Sequence, residues 1–259
     1  MGTAWAGLRL AVGTLTMIPV GSLPPTTRRI GAWAMALAPI AALPLGLLVA
    51  AVGRLGQAAA MPTSITATLS VGALALATRA MHLDGLADTA DGIGAGWDRE
   101  RALRVRRAGD GGPMGGVALV GVVLLQIASA TALLSLAHGW LLVGAAVVAS
   151  RVAATLGCLR GLPTASGPSL GAVVAGPVPG VVGGPAVVVM GAALTGATVV
   201  AGLQWWQGVA AMAALLVAVA WLLRSAVRVF GGINGDVLGA SIEVGAAALL
   251  VALTIGATA

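Results

Sequence analysis

Apolar residues run along this chain in long stretches, broken by short polar joints. Such stretches cover about 4–20, 30–52, 61–81, 117–137, 139–157, 180–203, 208–230 and 238–257. Their lengths of roughly 20 residues suit helices that cross a hydrocarbon layer. The first stretch contains Arg9, ends at Pro19 and is short enough to lie in the interface as well as to span. The second holds Pro39 and Pro44, which neighbouring helices or water must compensate. Trp205 and Trp206 mark a turn at the membrane surface. This pattern predicts an all-α, polytopic integral membrane protein with about seven transmembrane helices, in a range of six to eight. It is read as a single membrane-embedded domain over residues 1–259.

Composition agrees. Hydrophobic residues make up 59% and charged residues 8%, with 39 glycines. A soluble domain carries about 25% charged residues, and this chain has too few polar groups to cover a water-facing surface. Small residues let transmembrane helices approach closely. The net charge of +6 comes entirely from arginine, because lysine is absent. In a membrane protein such a charge marks cytoplasmic loops and contact with anionic lipid, so no nucleic acid is expected. The lone Cys158 excludes an internal disulfide. No basic region and small-residue cleavage site stand at the N-terminus, so no removable signal peptide is expected.

Charge also orients the chain. If the segments alternate across the bilayer, the joints at 21–29, 83–113, 158–179 and 231–237 share one side. That side holds Arg28, Arg29, Arg160 and the five arginines between Arg99 and Arg107, against mainly Arg54 on the other. The positive-inside rule makes it cytoplasmic. Six of the eight acidic residues lie between 84 and 110, and the other two, Asp236 and Glu243, return to the same face.

Within this apolar chain, one stretch from His82 to Trp97 is polar. Asp84, Asp88 and Asp91 stand at i, i+4 and i+7, which share one helical face. Carboxylates grouped at the end of a membrane segment are costly unless paired, hydrated or bound to a cation. Oxygen ligands suit a hard cation, so Mg²⁺ is the candidate, completed by substrate phosphate. One Cys and two His give little support to a thiolate or imidazole metal site. Ion pairing with arginine or helix capping is the plainer reading of the same acids. His82 is a candidate for orienting phosphate or moving a proton. The arginines at 99–107 can steer a polyanion, and the backbone of Gly109–Gly116 can approach phosphate at a helix start. Asp236 and Glu243, seven apart, fall on one face, and an acid inside an apolar helix points to function.

The stretch His82-Leu-Asp-Gly-Leu-Ala-Asp-Thr-Ala-Asp-Gly92 resembles the signature of the cobalamin synthase family, the adenosylcobinamide-GDP ribazoletransferases. Gly235-Asp-Val-Leu-Gly-Ala-Ser-Ile-Glu243 resembles that family's C-terminal motif, and Ser150-Arg151 and Gly115-Gly116 extend the likeness over nearly the whole chain. The resemblance implies a transferase of the bacterial cytoplasmic (inner) membrane, acting late in vitamin B12 assembly. It would join adenosylcobinamide-GDP to α-ribazole or its 5′-phosphate and release GMP, with Mg²⁺ and an active site facing the cytoplasm. Asp84, Asp88 and Asp91 would then be the metal ligands and, with His82, the catalytic residues. Arg107, Arg151, Asp236 and Glu243 would bind substrate. The partners implied are these two small molecules and the lipid bilayer, and a homo-oligomer is compatible with the chain. Two departures stand out. Arg107-Ala-Gly-Asp110 replaces an Arg/Lys-Asp-Ser-Arg run common in the family, and Ala246 stands where many members carry a second glutamate. A CDP-alcohol phosphotransferase also clusters aspartates at a membrane face, but its longer motif spacing is absent here. An ion-coupled transporter would place acids deeper and in several spans.

Overall fold

The computed structural model describes residues 2–96, 112–165 and 178–257. Twelve helices are found among them: α1 (Thr3–Leu15), α2 (Arg28–Ala36), α3 (Ala38–Ala41), α4 (Leu43–Ala58), α5 (Thr63–Ala77), α6 (Met81–Gly94), α7 (Pro113–Leu134), α8 (Gly139–Ser150), α9 (Val152–Gly157), α10 (Gly180–Val200), α11 (Trp205–Phe230) and α12 (Gly235–Thr254). The β-type pairing among the described residues is two isolated parallel bridges, Leu159 with Val178 and Thr164 with Ile233.

Among the described residues five helical stretches are long and apolar enough to cross a membrane: α7, the stretch Gly139–Gly157 through α8 and α9, α10, α11 and α12. A sixth exists if α5 and α6 form one bent span. The polytopic all-α architecture therefore stands, with fewer full-length spans among the described residues than the expected seven. The difference has local causes. The stretch 30–52 breaks at Leu37 and Ala42, and Pro39 and Pro44 sit in the first turns of the helices that follow. Proline lacks the N–H of a helix interior and clashes with the preceding turn, yet suits a helix start. Helix α1 has 13 residues, roughly 20 Å at 1.5 Å per residue, which falls short of a hydrocarbon core of about 30 Å.

The stretch 61–81 breaks as well. Arg79 and Ala80 both adopt left-handed backbone angles, with φ of 54° and 53°. Side-chain-bearing residues rarely do so, and two in succession turn the chain abruptly. Helix α6 consequently leaves α5 at 89°.

Helix α12 is the centre of the bundle. Its most apolar window is 78% buried, against 17% for α10, whose sides face outward. Around it pack α6, α7, α8, α9 and α11. The turns 158–165 and 231–234 are tied at one end of the bundle. There the Ala165 N–H donates to the Ile233 carbonyl at 3.0 Å, and the Ile233 N–H donates to the Pro163 carbonyl at 2.8 Å.

Candidate active site

Helix α6 carries the acidic stretch, and its packing is set by small residues. A methyl group on Gly85 would lie 2.7 Å from the Asp236 carbonyl oxygen, and one on Gly239 would lie 3.1 Å from the His82 Cα. The absence of side chains at these two positions lets α6 and the first turns of α12 meet backbone to backbone. That contact brings the turn bearing Asp84 beside the turn bearing Asp236. Asp236 accepts from the Asn234 amide at 2.6 Å, while Asn234 caps α12 by accepting from the Val237 N–H at 3.1 Å.

The three aspartates of α6 do share a face, but their surroundings change along it. Asp84 is exposed, Asp88 half-buried and Asp91 buried. Asp91 accepts from the Gly112 N–H at 2.6 Å and from the Gly115 N–H at 2.7 Å, one carboxylate oxygen to each. It therefore binds the N-terminus of α7, where backbone donors lack partners and the helix dipole favours negative charge. A side chain on Gly112 or Gly115 would collide with that carboxylate. The N–H groups expected to meet phosphate in the glycine-rich joint are thus given to Asp91 at Gly112 and Gly115. Residues 109–111 of that joint, together with the arginines at 99–107 and the Ala108–Asp110 departure, lie outside the described residues.

A second polar group lies inside the bundle. His82, Arg151 and Glu243 are all buried, Arg151 completely so. His82 Nδ1 stands 3.8 Å from Glu243 Oε1. The Gln126 side-chain amide of α7 donates to Glu243 Oε2 at 2.7 Å. Arg151 Nη1 donates to Ser150 Oγ at 2.7 Å and to the Val147 carbonyl at 3.2 Å, and the charge of Arg151 acts on both Glu243 and His82. Both ring nitrogens of His82, and Nε and Nη2 of Arg151, make no hydrogen bond. Charge balance between Arg151 and Glu243 makes such burial tolerable.

The structure thus gathers His82, Arg151 and Glu243 in the interior and sets Asp84 and Asp88 on the outer side of α6, with Asp236 on the adjoining turn. Gln126 was not foreseen. The signal was present, since a lone amide in an otherwise apolar membrane helix needs a hydrogen-bond partner. Ala246 lines a cavity of about 20 Å³ together with Gln126 and Ser70, whose hydroxyl makes no hydrogen bond. The Cys158 thiol is fully buried and burial pushes its pKa up, which suits neither a nucleophile nor a ligand.

Among the described residues no three His, Cys, Asp or Glu side chains converge as a metal cage. Mg²⁺ does not need one, because one or two carboxylates plus substrate phosphates commonly hold it. Asp84 and Asp88, one turn apart with hard oxygen donors, fit that demand. Asp91 fits it less well, since each of its oxygens already serves a backbone donor.

A family model described as Cobalamin-5-phosphate synthase matches residues 7–254. An adenosylcobinamide-GDP ribazoletransferase of Nocardioides sp. is 44% identical over 254 residues, covering 97% of this chain and 98% of its own length. A protein of the same name from Frankia casuarinae is 40% identical over 264 residues, covering 95% and 94%. Another, from Bradyrhizobium diazoefficiens, is 34% identical over 250 residues, covering 95% and 92%. No solved structure matches the chain at a significant level.

Proposed function

The chain belongs to the cobalamin-5-phosphate synthase family, and we propose that it joins adenosylcobinamide-GDP to α-ribazole or α-ribazole 5′-phosphate with release of GMP. The observation that carries this reading is the outward carboxylate pair Asp84 and Asp88, on a helix fixed against both α12 and α7. A ribose hydroxyl of the ribazole attacks the cobinamide-side phosphorus. The bond from that phosphorus to the bridging oxygen breaks, and GMP leaves with the electron pair. The hydroxyl proton passes to a carboxylate, for which Asp84 or Asp88 is the candidate.

Phosphoryl transfer of this kind relies on positioning and on offsetting negative charge. Mg²⁺, when bound, supplies that positive charge and holds the diphosphate. Asp84 and Asp88 would hold the ion. Asp91 keeps their helix locked to α7, and His82 with Glu243 keeps it seated on α12. Asp236, on the adjoining turn, is the substrate-binding candidate nearest to this face. In this reading Arg151 acts through its buried charge on Glu243 rather than by touching a phosphate.

Two observations support a cytoplasmic orientation. The turns at 158–165 and 231–234 are joined at one end, and that end carries Arg160 beside Arg28 and Arg29, as positive-inside loops do. Membranes containing the protein, mixed with adenosylcobinamide-GDP, α-ribazole and Mg²⁺, should yield GMP and a ribazole-bearing corrinoid. No product from folded protein at any Mg²⁺ concentration, with either ribazole substrate, would sink the reading.

A further inference from the structure

A cleft of about 740 Å³ opens between the start of α2, the turn at Arg160 and the start of α10. Arg28, Arg29 and Arg160 line it, with Trp33, Pro179 and Val182 as its apolar side. None of the three arginines makes an ion pair among the described residues. Arg28 and Arg29 occupy the first turn of α2, the end where the helix dipole already favours negative charge and disfavours cations. Thr27 caps that end by accepting from the Ile30 N–H. Arg160 is not on a loose loop. Its N–H donates to the Val178 carbonyl at 2.8 Å, and the Val178 N–H donates to the Cys158 carbonyl at 3.0 Å. Three guanidinium groups and a helix N-terminus therefore converge on one concavity from two directions, next to an indole. A second groove lined by arginine and tryptophan, at Trp221, Arg224 and Arg228, is lined among the described residues by α11 alone.

We propose that this cleft binds a phosphate ester, with the phosphate among Arg28, Arg29 and Arg160 and the organic part against Trp33 and Val182. Arginine suits the task because its planar donors match phosphate oxygens in pairs. Two sources offer this chemistry: a soluble nucleotide-like phosphate ester, and the headgroup of an anionic phospholipid at the membrane surface. This site is distinct from the α6 carboxylates, which attract cations.

The test uses the full chain in nanodiscs. In phosphatidylcholine discs, GMP and inorganic phosphate are titrated by calorimetry; in discs of mixed lipid, retained phosphatidylglycerol is measured by mass spectrometry. Arg160→Gln and Arg29→Gln should each weaken the bound species about tenfold, as expected for loss of a charge-assisted hydrogen bond. Arg54→Gln, on a residue that does not line the cleft, should leave it unchanged. GMP or phosphate binding with this pattern identifies a soluble ligand, and phosphatidylglycerol retention with this pattern identifies the headgroup. If neither is held more tightly by the parent chain than by the Arg160→Gln and Arg29→Gln variants, the cleft is not a phosphate site. Because binding is read rather than turnover, the cleft can fail while ribazole transfer stands.

Discussion

Helix α6 presents two polar regions that differ in what surrounds them. On its outer side Asp84 is exposed to solvent and Asp88 is half-buried. On its inner side His82 meets Glu243, and through Glu243 the charge of Arg151 and the amide of Gln126. The outer pair is exposed to half-buried; the inner group is buried among apolar helices. Water screens the first. The second has no such screening, so its members depend on one another, and removing one strands the rest.

The largest effect expected from this contrast is on the inner side. Glu243→Gln removes the charge that balances Arg151 and should lower stability by about 3–5 kcal/mol, as for other broken buried pairs. Thermal unfolding in detergent reads this, and Glu243→Gln combined with Arg151→Met should recover part of the loss. A single variant as stable as the parent would show that Arg151 is neutralised by other means. On the outer side the order reverses. Asp84→Asn and Asp88→Asn should leave the melting temperature nearly unchanged while transfer falls about 10²–10³-fold, the scale of losing one electrostatic contributor to a transition state. Adding Mg²⁺ should restore part of that loss if the carboxylates hold the ion. Full activity in both variants would remove them from the site.

Asp91 tests the boundary between the two regions. Asp91→Ala strands the Gly112 and Gly115 N–H groups and should cost about 1.5–3 kcal/mol, the range for hydrogen bonds to a charged group. Activity should fall only as far as stability does. A loss as deep as that of Asp84→Asn, with the melting temperature unchanged, would move Asp91 into the metal shell. The smallest effect concerns labelling. Because Cys158 is buried and its thiol is held protonated, the parent chain should take up no maleimide. Ala95→Cys should then label only from the cytoplasmic side; labelling from the periplasm would reverse the orientation.

Sequence periodicity revealed the shared face of Asp84, Asp88 and Asp91, because a seven-residue spacing survives any packing of the helix. It also revealed the apolar segments, although it marks 30–52 as one span tolerating Pro39 and Pro44, where the structure breaks it at Leu37 and Ala42. The fate of Asp91 was not legible, since its partners at Gly112 and Gly115 stand 21 and 24 residues away and carry no side chains. Nor was the Gln126–Glu243 hydrogen bond, which joins positions 117 residues apart. The right-angle turn was hidden for another reason. Arg79 and Ala80 are poor markers of left-handed backbone, which glycine or asparagine would have signalled.

That turn also fixes chain length. Helix α6 begins directly after Ala80, and the face it turns to α12 and α7 must agree with the joint that precedes it. One residue added to or removed from 78–80, if taken up as helix, would turn the face α6 presents by about 100°, since a helix turns once every 3.6 residues. His82 would swing away from Gly239, and a larger neighbour would replace Gly85 at the crossing with Asp236. A loop graft, tag or linker that another surface turn would accept is therefore incompatible with this one, where length rather than composition is the constraint.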